Sequence, residues 1–93
     1  MANKNILLIR KKLDKLDNQF LNLIKKRSYL VKKVLANKKF KKDIIDKKRI
    51  KVILKTIKNK SLRKKIDPNI TNSIWVSMIR AFVKYEYKNF GKK

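Results

Sequence analysis

The chain has 93 residues, of which 29 are Lys or Arg and only six are Asp or Glu, giving a formal net charge of +23. It contains neither cysteine nor histidine, which excludes disulfides, thiolate nucleophiles, zinc sites of the usual kind and histidine general-base chemistry. This length bounds one domain, 1–93, near the lower limit of what buries a sufficient core alone. With no signal-like apolar stretch at the N-terminus and no run of roughly 20 apolar residues anywhere, we expect a soluble, cytoplasmic protein with no membrane partner.

The basic residues are not equally informative. Five are arginine, namely Arg10, Arg27, Arg49, Arg63 and Arg80, and the rest are lysine spread over faces that the helical pattern assigns to solvent. Lysine, asparagine and isoleucine are abundant together, as A/T-rich codons would give. The arginines are therefore the cations worth following.

The first predicted element is a helix from about Asn5 to about Lys38. No Gly or Pro interrupts it, and its apolar residues recur in steps of three and four, as Ile6, Ile9, Leu13, Leu16, Phe20, Leu23, Leu30 and Val34, the spacing of one inward-facing stripe. Arg27 occupies this seam where a leucine would be expected. Burying a guanidinium costs several kcal/mol unless an anion meets it, so Arg27 asks for a negative partner. At 100° per residue Lys38 lies about 20° round the axis from Arg27, on the same face, and Arg10 about 100° away toward the opposite end. A helix this long would extend on the order of 50 Å, more than a compact domain of this size can cover. An intertwined homodimer, in which two long helices bury one another, resolves the mismatch.

A polar break at Lys39 to Lys42 follows. Ile50, Ile53, Leu54 and Ile57 mark a shorter second helix that begins near Asp43 to Asp46, with Asp46 suited to an N-cap, and a loop is expected around Asn59 to Ile66. Asp67-Pro68 is a helix start, with Asp67 as cap and Pro68 at the position where a missing N–H costs nothing. The third helix carries Ile70, Ile74, Trp75, Met78, Ile79, Phe82 and Val83 toward a core and ends near Gly91. Glu86, the only glutamate, falls on that apolar face. Near few cations it would stay protonated as a donor, whereas beside Arg27 or Lys38 it would ionise. No strand pattern appears, so the fold class is all-α.

Taken in order, Leu7-Leu8-Ile9-Arg10, Leu16-Asp17, Arg27, Lys38, Asp46-Lys47-Lys48-Arg49 and Ile66-Asp67-Pro68 resemble the small all-helical chorismate mutases over nearly the whole chain. That resemblance implies three helices per chain in an intertwined dimer with two active sites, and no cofactor or metal. It implies that Arg10 is donated across the dimer, that Arg27 and Arg49 are host-chain arginines with Arg27 clamping a substrate carboxylate, and that Lys38 contacts a carboxylate and the ether oxygen of the breaking bond. Asp46 would lie near the substrate hydroxyl, and Phe82 at a variable pocket position. The implied reaction, an intramolecular Claisen rearrangement of chorismate to prephenate in aromatic amino-acid biosynthesis, moves no proton and forms no covalent enzyme intermediate. It suits a chain without histidine or cysteine.

Two positions depart from the family pattern. Ile50 replaces the glutamate that usually follows the arginine of the family's Asp-x-x-Arg-Glu signature, here Arg49, and Glu86 stands where a glutamine commonly donates to the ether oxygen. A glutamate donates only when protonated, so activity is expected to fall as the solution becomes more alkaline. An apolar residue at the position of Ile50 also occurs in isochorismate-pyruvate lyases of the same fold, which makes that reaction the nearest alternative, and a non-catalytic relative of the fold is a third. A basic nucleic-acid-binding helical dimer would explain the lysines but not Arg27 and Glu86 on apolar stripes, so no specific nucleic-acid partner is expected. Taken singly, Arg10 could be a solvated helix-end cation, Lys38 and Arg49 surface residues, and Phe82 packing.

Overall fold

A computed structural model describes residues 3–92 of the chain. It consists of helix α1 (Lys4–Ala36), a 3-10 turn at Lys41–Asp43, helix α2 (Lys47–Arg63) and helix α3 (Pro68–Asn89), with no strand among the described residues. The all-α class and the three helices agree with the sequence pattern. None of these helices is long and apolar enough to cross a membrane. The chain divides into two compact units, the first reaching Val31 and the second beginning at Lys32.

The first unit is helical throughout from Lys4. The Asn3 side chain starts the helix by accepting a hydrogen bond from the Ile6 amide at 2.8 Å, as an N-cap residue does. The seam legible in the sequence lies bare on a single chain, with Leu23 at 63% and Leu30 at 59% exposure. The partly covered positions are Ile24, Arg27, Ser28 and Val31, a stripe that shares only Arg27 with the expected one. The expectation that the seam turns inward is thus not met within one chain.

In the second unit α1 stops at Ala36, short of the expected Lys38. Its end tightens into shorter-range bonds, from the Asn37 amide to the Val34 carbonyl and from the Lys38 amide to the Leu35 carbonyl, and the Asn37 side chain caps the Lys33 carbonyl at 2.8 Å. Lys38 therefore stands in the connection beyond the helix, and the angular relation to Arg27 drawn from an unbroken helix does not reach it. The connection is more ordered than a polar break suggests. Asp43 donates to the Phe40 carbonyl and Ile44 to the Lys41 carbonyl, closing the 3-10 turn, and Ile44 is buried at 3% exposure. Ile44 and Leu35 are the only buried apolar residues among those described.

α2 opens with Asp46 as N-cap, its carboxylate accepting from the Arg49 amide at 3.0 Å. It continues through Arg63, so most of the expected loop at Asn59 to Ile66 is helical. The exit explains the difference. Ile66 donates to the Ser61 carbonyl and Lys65 to the Leu62 carbonyl, while Lys65 takes a φ of 59°. This is a Schellman closure, built on a lysine where glycine is the usual signal.

α3 begins as expected, with the Asp67 carboxylate accepting from the Asn69 amide at 2.9 Å and Pro68 next. α2 and α3 pack on each other, and the short connection makes them antiparallel. A polar link joins them: the Ser61 hydroxyl, 3% exposed, donates to the Ile57 carbonyl at 2.6 Å and lies 2.7 Å from the Thr71 hydroxyl. Trp75, Met78, Ile79, Phe82 and Val83 are partly buried, whereas Ile70 and Ile74, expected in a core, remain exposed.

Candidate functional site

The second unit brings together two residues that lie 48 positions apart. Lys38 Nζ approaches Glu86 Oε1 at 3.1 Å, with side-chain exposures of 19% and 8%. Each arrives by a different local rule. Glu86 is carried on the covered stripe of α3, four residues after Phe82, and is buried as that position demands. Lys38 is freed from helical geometry by the end of α1, and its long side chain reaches across from the connection. Of the two environments open to Glu86 from sequence, the structure shows the one with a cation beside it.

Lys38 has a second bond, to the Ile44 carbonyl at 3.2 Å. An ammonium has three donors, so two are committed and one is left to point at an incoming acceptor. In surroundings that exclude most water, such a donor aimed at growing negative charge is worth far more than the same donor in bulk solvent. Neither the sequence spacing nor any motif identified Ile44 as part of this arrangement. It sits in a non-periodic stretch, and its contribution comes through the backbone.

The other expected site residues fall as follows. Asp46 and Arg49 lie together at the start of α2, both exposed, where Asp46 fills its capping role. Ile50 is partly buried immediately after them. Phe82 is partly buried one turn before Glu86. Arg10 and Arg27 belong to the first unit. Arg10 is exposed, and Arg27 is half-buried with its Nε shielded from solvent.

The second unit also holds a cleft of about 860 Å³ to which Lys38 contributes, together with Lys32, Leu35, Lys39, Tyr85 and Phe90. Among the described residues no carboxylate side chain lines it. Tyr85, on α3, and Phe90, just beyond its end, were not among the expected site residues.

An all-helical chain that buries one carboxylate against a lysine ammonium, in a unit whose cleft is lined by further lysines, defines a class: small helical proteins suited to holding an anionic molecule by charge and hydrogen bonding. The particular family follows from comparison with known proteins. Residues 9–87 match the family model of chorismate mutase type II, and the chain belongs to that family. No curated protein and no solved structure matches it significantly.

Proposed function

We propose that this protein is a chorismate mutase, an isomerase that converts chorismate to prephenate by electrostatic positioning. The observation that carries the reading is the Lys38–Glu86 pair at 3.1 Å, two groups converging on one point from separate elements in a chain of this family. The rearrangement breaks a carbon–oxygen bond and forms a carbon–carbon bond within one molecule. The enzyme therefore has to hold a flexible dicarboxylate in its compact reactive conformer and stabilise negative charge as it grows on the ether oxygen.

In this reading Arg27 and Arg49 hold the carboxylates, which a planar guanidinium fork can bind through two hydrogen bonds. Lys38 spends its remaining donor on the ether oxygen, and Glu86 holds the Lys38 ammonium in place through their 3.1 Å contact. Asp46 meets the hydroxyl, and Phe82 shapes the apolar wall. Ile50 supplies no polar contact, so substrate orientation falls more heavily on the cations.

The active assembly in this proposal is a homodimer, with Arg10 donated by the partner. The bare seam of α1 supports it: Ile9, Leu13, Leu16, Leu23 and Leu30 are all more than half exposed on one chain. At roughly 25 cal/mol per Å² of apolar surface, leaving such a stripe in water forfeits several kcal/mol that a second copy would recover. Sedimentation equilibrium is expected to give twice the chain mass.

Ile50 favours a second reading, isochorismate-pyruvate lyase, because an apolar side chain follows the signature arginine. Incubating the purified protein with chorismate and, separately, with isochorismate separates the two. Prephenate from the first supports the mutase, salicylate and pyruvate from the second support the lyase, and turnover of neither makes the chain a non-catalytic relative.

A further inference from the structure

We infer that Ile44 is a positioning residue for the reaction: its buried side chain fixes a backbone carbonyl that holds the Lys38 ammonium in place before substrate arrives. The inference rests on the chorismate reading for its catalytic consequence, but the structural part stands separately.

The chain of contacts is short. The 3-10 turn at Lys41–Asp43 reverses the connection and ends with the Ile44 amide donating to the Lys41 carbonyl at 3.2 Å. The Ile44 side chain is the most deeply buried apolar group described, at 3% exposure, so the residue is anchored from both its backbone and its side chain. Its carbonyl then accepts from Lys38 Nζ at 3.2 Å.

That tether answers a specific weakness. Lys38 lies outside any helix, and its own backbone is tied back by a single bond from its amide to the Leu35 carbonyl at 3.1 Å. A lysine side chain has four rotatable bonds and a compact charge with no preferred plane. Left alone it would sample many rotamers, and ordering it at the moment of reaction would cost entropy. Glu86 alone gives one point of attachment, about which the ammonium can still turn. The Ile44 carbonyl adds a second point, and two fixed acceptors set the direction of the third N–H. Neither acceptor has to be the group that touches substrate.

The test needs a readout that does not depend on turnover. Trace acetylation with acetic anhydride, followed by mass spectrometry of each lysine, reports the accessibility of individual ammonium groups in the ligand-free protein. In the parent, Lys38 is expected to react several-fold more slowly than exposed Lys12. In Ile44→Ala the Lys38 rate should rise at least threefold while those of Lys12 and Lys39 stay unchanged, and Ile44→Val, which keeps the branched body, should restore most of the protection. If Ile44→Ala melts below the assay temperature, Ile44→Thr replaces it, with the same rise expected. With chorismate, the folded variant is expected to lose about tenfold in kcat with little change in KM, the signature of lost orientation.

An unchanged Lys38 rate in a folded Ile44→Ala or Ile44→Thr protein would overturn the tether. So would a uniform rise across all lysines, which marks general loosening. A parent protein that turns over no chorismate, with the labelling pattern as expected, would remove the chorismate reading and leave the tether standing.

Discussion

Replacing Lys38 by methionine keeps the length of the side chain and removes its charge, leaving the Glu86 carboxylate buried without its cation. Removing one partner of a fully buried pair costs about 3–5 kcal/mol. Here the Glu86 side chain is 8% exposed, but the Lys38 side chain retains 19%, so solvent screens part of the interaction and about 2 kcal/mol is the better figure for the pair. The Ile44 carbonyl loses its donor as well, adding roughly 0.5–1 kcal/mol. The sum is about 3 kcal/mol, and with a urea slope of about 1–1.5 kcal/mol per M for a small chain it lowers the unfolding midpoint by about 2–3 M. Glu86→Gln should cost only about 1 kcal/mol, since the amide oxygen still accepts from Lys38. The double variant Lys38→Met with Glu86→Leu should return to within about 1 kcal/mol of the parent, because no charge is left stranded. Urea unfolding followed by circular dichroism at one fixed protein concentration measures all four. A Lys38→Met protein within about 0.5 kcal/mol of the parent, or a double variant no better than the single, would refute the pair as a buried, mutually dependent unit.

Four further outcomes are expected. Ser61→Ala removes the hydroxyl link between α2 and α3 and leaves Thr71 only its longer bond to the Pro68 carbonyl at 3.3 Å, so it should cost about 1 kcal/mol in the same unfolding assay. Lys65→Gly relieves a left-handed backbone conformation and should raise stability by about 0.5–1 kcal/mol, read as a higher melting temperature. Asp46→Asn keeps the helix cap and removes the carboxylate, so it should leave the melting temperature nearly unchanged while lowering turnover, whereas an effect on stability alone would confine Asp46 to capping. If each site combines Arg27 of one chain with Arg10 of the other, then mixing and refolding inactive Arg10→Ala and Arg27→Ala proteins should restore about a quarter of parental activity, since half the dimers are mixed and each holds one intact site.

The parts of this protein that were legible in its sequence are those governed by local rules. Asp67-Pro68 and Asp46 announce their helices because capping chemistry is carried by one or two side chains. Glu86 could be placed on a covered face because helical spacing fixes direction. What local rules could not supply lies at the helix ends. Lys65 closes α2 in a conformation that glycine normally signals, so Asn59 to Arg63 were expected in a loop although Ser61 is a buried helical residue. α1 ends two residues early through backbone bonds that any sequence can make, and that small shift moves Lys38 from a helix face into a connection.

The site divides in the same way. Charge on an apolar stripe singled out Arg27 and Glu86 before any fold was known, and the order of motifs brought in Arg10, Lys38, Asp46, Arg49 and Phe82 through resemblance. The pairing of Lys38 with Glu86 spans 48 residues and depends on where a helix stops, which no periodicity encodes. Ile44 contributes a carbonyl, a group that every residue shares, so its side chain alone gave no sign of it.

The most direct test of the central claim is the rate of prephenate formation from chorismate by the parent protein and by Arg27→Ala, with circular dichroism showing both folded. Turnover by the parent and a loss of at least about a hundredfold in kcat/KM on removing the guanidinium are expected if rearrangement depends on positioned cations. Parental turnover that survives Arg27→Ala, or a folded dimeric parent that forms no prephenate, would contradict it.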